Sequence, residues 1–129
     1  MARGKPLRPT DCELAILRVL WQRGPSTVRQ VREELARTRP TGYTTVLKFL
    51  QIMTEKGLVR RDETDRRHVY EARASRQRTQ RQLVKDVLDK AFGGSAAELV
   101  AQALTAGRTS PQELEQIRKL LDELERGPK

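Results

Sequence analysis

The 129-residue sequence predicts a mainly α chain carrying one small β-hairpin. Three observations lead there. Apolar residues recur at three- and four-residue steps in segments bounded by glycine or proline, as amphipathic helices require. Two short β-prone runs, 58–61 and 69–72, flank a charged turn at 62–67. The helix just before them opens on small polar residues and stops at Gly57, so helix and hairpin take the form of a reading helix followed by a wing. The expected order is a flexible basic arm (1–9), an N-terminal winged helix-turn-helix (10–74), and a three-helix C-terminal dimerisation region (75–129).

Each element has a local signal. Thr10 and Glu13 form the T-x-x-E of a capping box, and Leu14, Leu17, Leu20 and Trp21, backed by Ile16 and Val19, give the first helix a broad apolar face. Gly24-Pro25 ends it. Ser26 or Thr27 caps a second helix striped by Val28, Val31 and Leu35. The third helix runs from Gly42 or Tyr43 to Lys56, with Val46, Leu50 and Met53 inward and Thr44, Thr45, Lys48, Gln51 and Glu55 on other faces. In the hairpin, Val69 faces opposite to His68 and Tyr70. Beyond it, residues 75–92 read as a long helix, basic at first and then striped by Leu83, Val84, Val87, Leu88 and Ala91. Residues 95–106 follow with Leu99, Val100, Ala103 and Leu104. Ser110-Pro111-Gln112-Glu113 reads as a second capping box, ahead of Leu114, Ile117, Leu121 and Leu124.

Composition narrows the function classes. Hydrophobic content of 36% beside charged content of 33% is lean for one tight globule, and a partner chain sharing the apolar surface resolves the deficit. The balance of 26 Lys/Arg to 17 Asp/Glu suggests a polyanionic partner. Residues 1–81 hold 19 basic and 9 acidic residues, a net of +10, whereas 82–129 hold 7 and 8, a net of −1. The polyanion belongs to the first part. A single cysteine, Cys12, leaves no disulfide framework within one chain and no cysteine-rich metal cluster, and no cofactor is expected. No apolar run approaches membrane-spanning length and the N-terminus lacks a signal-peptide core, which points to a cytoplasmic protein without a membrane partner. No G-x-S-x-G, phosphate-binding loop, H-E-x-x-H or catalytic dyad is present, so an enzyme is not expected.

The candidate contacts with double-stranded DNA are Tyr43, Thr44, Thr45 and Lys48 on the reading helix. Arg66 and Arg67 join them from the wing, and Arg29 and Arg32 from the second helix. Each has a plainer alternative. Thr44 can be a capping hydroxyl, and the wing arginines can be solvated charges that resist edge pairing. Arg60, Arg61, Asp62, Glu63 and Asp65 can pair among themselves, and Arg29 and Arg32 can form an ordinary exposed face. The run Arg73, Arg76, Arg78, Arg81 either touches flanking phosphates or solubilises its helix. Lone His68 suits a packed or wing-facing position rather than a metal, and Cys12 a structural role rather than a redox one. The apolar set Leu83, Val87, Leu88, Leu99, Leu114, Ile117, Leu121 and Leu124 reads as a homodimer interface, with intramolecular core as its alternative.

These residues resemble the penicillinase-repressor family of bacterial winged-helix regulators, which includes methicillin-resistance and copper-transport repressors. The likeness runs over about residues 8–126. It rests on Thr10-x-x-Glu13 leading to Val19-Leu20-Trp21, on Tyr43-Thr44-Thr45-Val46, Leu50-Gln51 and Lys56-Gly57-Leu58-Val59, and on Arg67-His68-x-Tyr70. Looser matches are Phe92-x-Gly94-Ser95, Leu99-Val100 and the stretch from Ser110 to Leu124. The resemblance implies a homodimeric repressor on a promoter palindrome. In resistance-type members a membrane sensor-protease system releases it by cleavage in the dimerisation domain. Staphylococcal members are cut at an Asn-Phe bond, and the aligned pair here is Gln102–Ala103. Three departures stand out. The C-terminal cysteine cluster of copper-responsive members is missing, Lys48 stands where threonine is frequent, and Ile52 where arginine is frequent. A structured-RNA-binding module and a protein-interaction adaptor are the competing classes. RNA preference without a defined promoter site marks the first, and no nucleic-acid binding at low salt marks the second.

Overall fold

The structure, a computed structural model, describes residues 8–64 and 66–127. The elements run α1 (Asp11–Arg23), β1 (Ser26–Thr27), α2 (Val28–Leu35), α3 (Tyr43–Lys56), β2 (Val59–Asp62), β3 (Val69–Ala72), α4 (Arg76–Ala91), α5 (Ala96–Ala106) and α6 (Pro111–Arg126). Most of the expected arm, residues 1–7, lies outside the described residues, as does Asp65. The chain divides into two compact units that part between Leu83 and Val84, within α4.

The first unit is built around α1. Thr10 Oγ1 accepts from the Glu13 N–H at 3.2 Å, and Glu13 Oε1 accepts from the Thr10 N–H at 3.0 Å. This is the expected capping box, and it carries a second duty. The same carboxylate, almost wholly buried, takes both its oxygens to Lys56 Nζ at 2.8 and 2.9 Å, tying the start of α1 to the end of α3. The core joins Ile16, Leu17, Val19 and Leu20 of α1 to Val28, Val31 and Leu35 of α2, Val46, Leu50 and Met53 of α3, and Val59 and Tyr70 of the sheet.

The expected hairpin is present as β2 and β3, and β1 joins it to make a three-stranded sheet in the order β1-β3-β2. Ser26 and Thr27 pair antiparallel with Tyr70 and Val69, so the capping segment of α2 also covers the outer edge of β3. Thr27 is the cap, and with Gln30 it closes a full capping box at 3.0 and 3.2 Å. One bound needs correction: β2 starts at Val59 rather than Leu58. Gly57 adopts φ +83°, and the N–H groups of Gly57 and Leu58 return to Thr54 O and Met53 O at 3.1 and 2.9 Å. That closure commits the Leu58 amide to the helix end.

In the second unit, Ser95 and Ser110 cap α5 and α6, each hydroxyl accepting at 3.1 Å from the N–H three residues on. Only the hydroxyl half of the expected Ser110–Glu113 box forms, with Pro111 at the first helical position. No described residue of this unit is buried within the single chain.

Candidate nucleic-acid interface

Helix α3 sets the geometry. Successive residues advance by about 100° around a helix, so with Val46, Leu50 and Met53 in the core, Thr44, Lys48 and Ile52 line up on the opposite side with Thr45 beside them. All four are exposed, and Tyr43 at the helix start is 49% exposed. The cap is Gly42, which has no side chain to accept from the first turn. Thr10, Thr27, Ser75, Ser95 and Ser110 each supply a hydroxyl to the other helix starts. Thr44 therefore lies inside the helix rather than at its cap. The first N–H groups of α3 remain available to an anion, where the helix dipole favours negative charge.

A groove of about 890 Å³ lies between α2, α3 and the wing. Tyr43, Leu47 and Gln51 form its α3 wall, adjacent to the Thr44–Lys48 face. Arg23, Arg29, Arg61, Arg66 and Arg67 line it, against one carboxylate, Glu33. The wing strands partly neutralise themselves, as the sequence alternative allowed. Arg60 pairs with Glu71 across the strands and Arg61 pairs with Glu63. The Arg61 guanidinium is held above its ordinary pKa, first by its hydrogen bond to the Tyr70 hydroxyl and then by Glu63. The Asp62 carboxyl is held below its ordinary range, chiefly by accepting from the Thr64 N–H at 2.9 Å. Arg67, at the tip, forms no ion pair with a described residue.

The candidate residues therefore separate. Tyr43, Arg29, Arg66 and Arg67 share the groove, whereas Thr44, Thr45 and Lys48 form the neighbouring outward face. Arg32 stands apart: its Nε donates to Thr41 O at 3.3 Å, bracing the turn that leads into α3. Arg73, Arg76, Arg78 and Arg81 are exposed, and His68 is an exposed groove residue. Cys12 is half-buried and accepts from Arg39 Nη1 at 3.1 Å. Among the described residues no group of three His, Cys, Asp or Glu is placed to hold a metal, and no helix is long and apolar enough to cross a membrane. Sequence reasoning missed Arg23, Arg61 and Gln51 as groove residues and Lys56 as the partner of Glu13. Those are long-range placements with no local signal. The Thr27–Gln30 box was readable as T-x-x-Q.

In the second unit, Val87, Leu121 and Leu124 are exposed, and Leu88, Leu99, Leu114 and Ile117 half-buried. Leu83, at the end of the first unit, lines a cleft together with Leu17 and Leu58. Gln102 and Ala103 are both exposed on α5.

The penicillinase repressor family profile matches residues 9–123. Over 124 residues the chain is 36% identical to the transcriptional regulator BlaI of Mycobacterium tuberculosis, in strains H37Rv and CDC 1551, covering 95% of this chain and 89% of the relative. Among solved structures, a MarR family transcriptional regulator from Silicibacter pomeroyi aligns with a TM-score of 0.44 at 21% identity, covering 89% of this chain and 67% of that one. A probable transcriptional regulator from Pseudomonas aeruginosa aligns with a TM-score of 0.41 at 27% identity, covering 94% and 80%. The chain belongs to the penicillinase repressor family and is a transcriptional regulator rather than an enzyme.

Proposed function

We propose that this regulator represses transcription as a homodimer on a palindromic promoter operator, each protomer laying α3 in a major groove. The observation that carries the reading is the exposed Thr44, Thr45, Lys48 face of α3 lying beside a groove lined by five arginines. Base edges are read by the outward face: the threonines bond bases and offer methyl groups to thymine, and Lys48 reaches guanine. The groove holds a phosphodiester strand, with Tyr43, Arg29, Arg66 and Arg67 on it, and the uncapped α3 N-terminus adds N–H donors. Arg32 serves this interface at one remove, by setting the approach to α3.

The dimer is supported by the second unit. Val84, Val87, Val100, Leu120, Leu121 and Leu124 are each at least 43% exposed in the single chain. Burying an aliphatic side chain yields about 1.5–3 kcal/mol, so a second copy is the natural cover for these helices. Release follows the resistance-type pattern: a sensor-protease system, responding to a β-lactam or related stress, cuts at Gln102–Ala103. Helix α5 has only 11 residues, and helices shorter than about 12–15 are marginal alone, so local opening presents that bond.

Footprinting and salt titration test the DNA reading. Protection is expected in two symmetric half-sites about 10 bp apart or a multiple of that. The binding constant should fall with salt at a log–log slope near −0.9 per phosphate contacted. Tighter binding of structured RNA than of any duplex sinks the reading.

A further inference from the structure

A second cleft, of about 390 Å³, opens in the first unit at the other end of α3. Leu17, Leu58 and Leu83 line it with apolar surface, and Arg8, Lys56, Arg73 and Arg78 are its basic lining residues; no Asp or Glu is among them. The four cations are not equivalent. Lys56 is neutralised by Glu13 and Arg8 is engaged in an interaction of its own, whereas neither Arg73 nor Arg78 forms an ion pair with a described residue. An apolar wall facing two uncompensated guanidinium groups selects for a ligand with an anionic head and a hydrocarbon body. The volume lies in the range of small-molecule pockets, roughly 300–1,000 Å³. A guanidinium fork matches a carboxylate in two parallel N–H···O bonds.

We infer that the cleft bounded by Leu17, Leu58, Leu83, Arg73 and Arg78 is a binding site for a small amphiphilic carboxylate. The 14 residues of α3 span about 20 Å, so this site lies well away from the Tyr43 end that the DNA reading uses, and it stands whether or not that reading holds. Free carboxylate, not DNA phosphate, is the ligand chemistry, because a backbone strand brings no hydrocarbon for the leucines.

The protein carries its own reporter. Trp21, the one tryptophan, donates from Nε1 to Ala74 O at 3.0 Å, and Ala74 lines the cleft. The test is titration of the full chain with octanoate, octanamide and inorganic phosphate, followed by Trp21 fluorescence and by calorimetry. Octanoate should bind saturably, with octanamide and phosphate each at least tenfold weaker. The R73A/R78A double variant should lose octanoate affinity at least tenfold, and the R73K/R78K variant, which keeps the charge, should regain part of it. Equal binding of octanoate and octanamide, equal binding of phosphate, an unchanged affinity in R73A/R78A, or no saturable heat with octanoate would each overturn the site.

Discussion

Lys48 and Arg66 are both exposed cations near α3, yet their positions assign them different work. Lys48 sits on the outward face with Thr44 and Thr45, the face proposed to meet base edges, while Arg66 lines the groove proposed to take the phosphate strand. Replacing Lys48 or Thr45 by alanine should therefore reorder preference among duplexes, by about 1–3 kcal/mol at the contacted base pair. R66A should weaken all duplexes alike and lower the salt slope by about one phosphate. Competition binding against a panel of duplexes separates the two patterns, and a sequence-dependent loss in R66A would contradict the assignment. A different pair controls stability. Glu13 is 2% exposed and is answered by Lys56 as well as by its own cap. Lys56→Ala strands that carboxylate, and removing one partner of a buried pair costs about 3–5 kcal/mol. The lower end is expected because the Lys56 side chain keeps 23% of its surface exposed. Urea denaturation measures it, and a loss below about 1 kcal/mol would show the pair to be dispensable.

At the scale of elements, α3 and its stop were the most legible part of the sequence, because the signals are local. Val46, Leu50 and Met53 repeat at helical spacing, and Gly57 supplies the left-handed residue that closes the helix. An added Cβ at Gly57 meets nothing within 4 Å. Gly57→Ala should thus cost only the conformational penalty, roughly 1–2 kcal/mol, read as a lower urea midpoint at unchanged slope. Strand β1 was not legible. A two-residue strand has no periodicity of its own and exists only because Ser26 and Thr27 meet Tyr70 and Val69 more than 40 positions on. The groove shows the same limit: Arg29, Arg66 and Arg67 carried motif context, whereas Arg23 and Arg61 arrive there by tertiary packing. The wing adds a pH-dependent element. Asp62 has its pKa lowered by the Thr64 N–H, so that contribution is complete above the ordinary value of 3.8 and is lost as pH falls through the lowered one. The Thr64 amide resonance should titrate with a midpoint below 3.8, and a midpoint at or above it would remove the bond from the account.

The whole molecule combines a basic first unit with a near-neutral unit whose apolar residues find no core of their own. The proposed homodimer answers both facts, since it would give the second unit its cover and the first a partner half-site. Sedimentation should return twice the 14.8 kDa chain mass, and L121D/L124D should return the single mass while leaving the first unit folded. The proposed dimer would also raise affinity without any new DNA contact, since the second half-site would bind at the effective concentration set by the first. Sequence-specific recognition by a doubled head is the core of the proposed function. Selection of bound duplexes from a random-sequence pool, followed by sequencing, tests it most directly. Enrichment of one two-fold symmetric motif, with half-sites about one helical turn apart or a multiple of it, is expected; a pool that stays random after repeated rounds would rule out sequence-specific recognition.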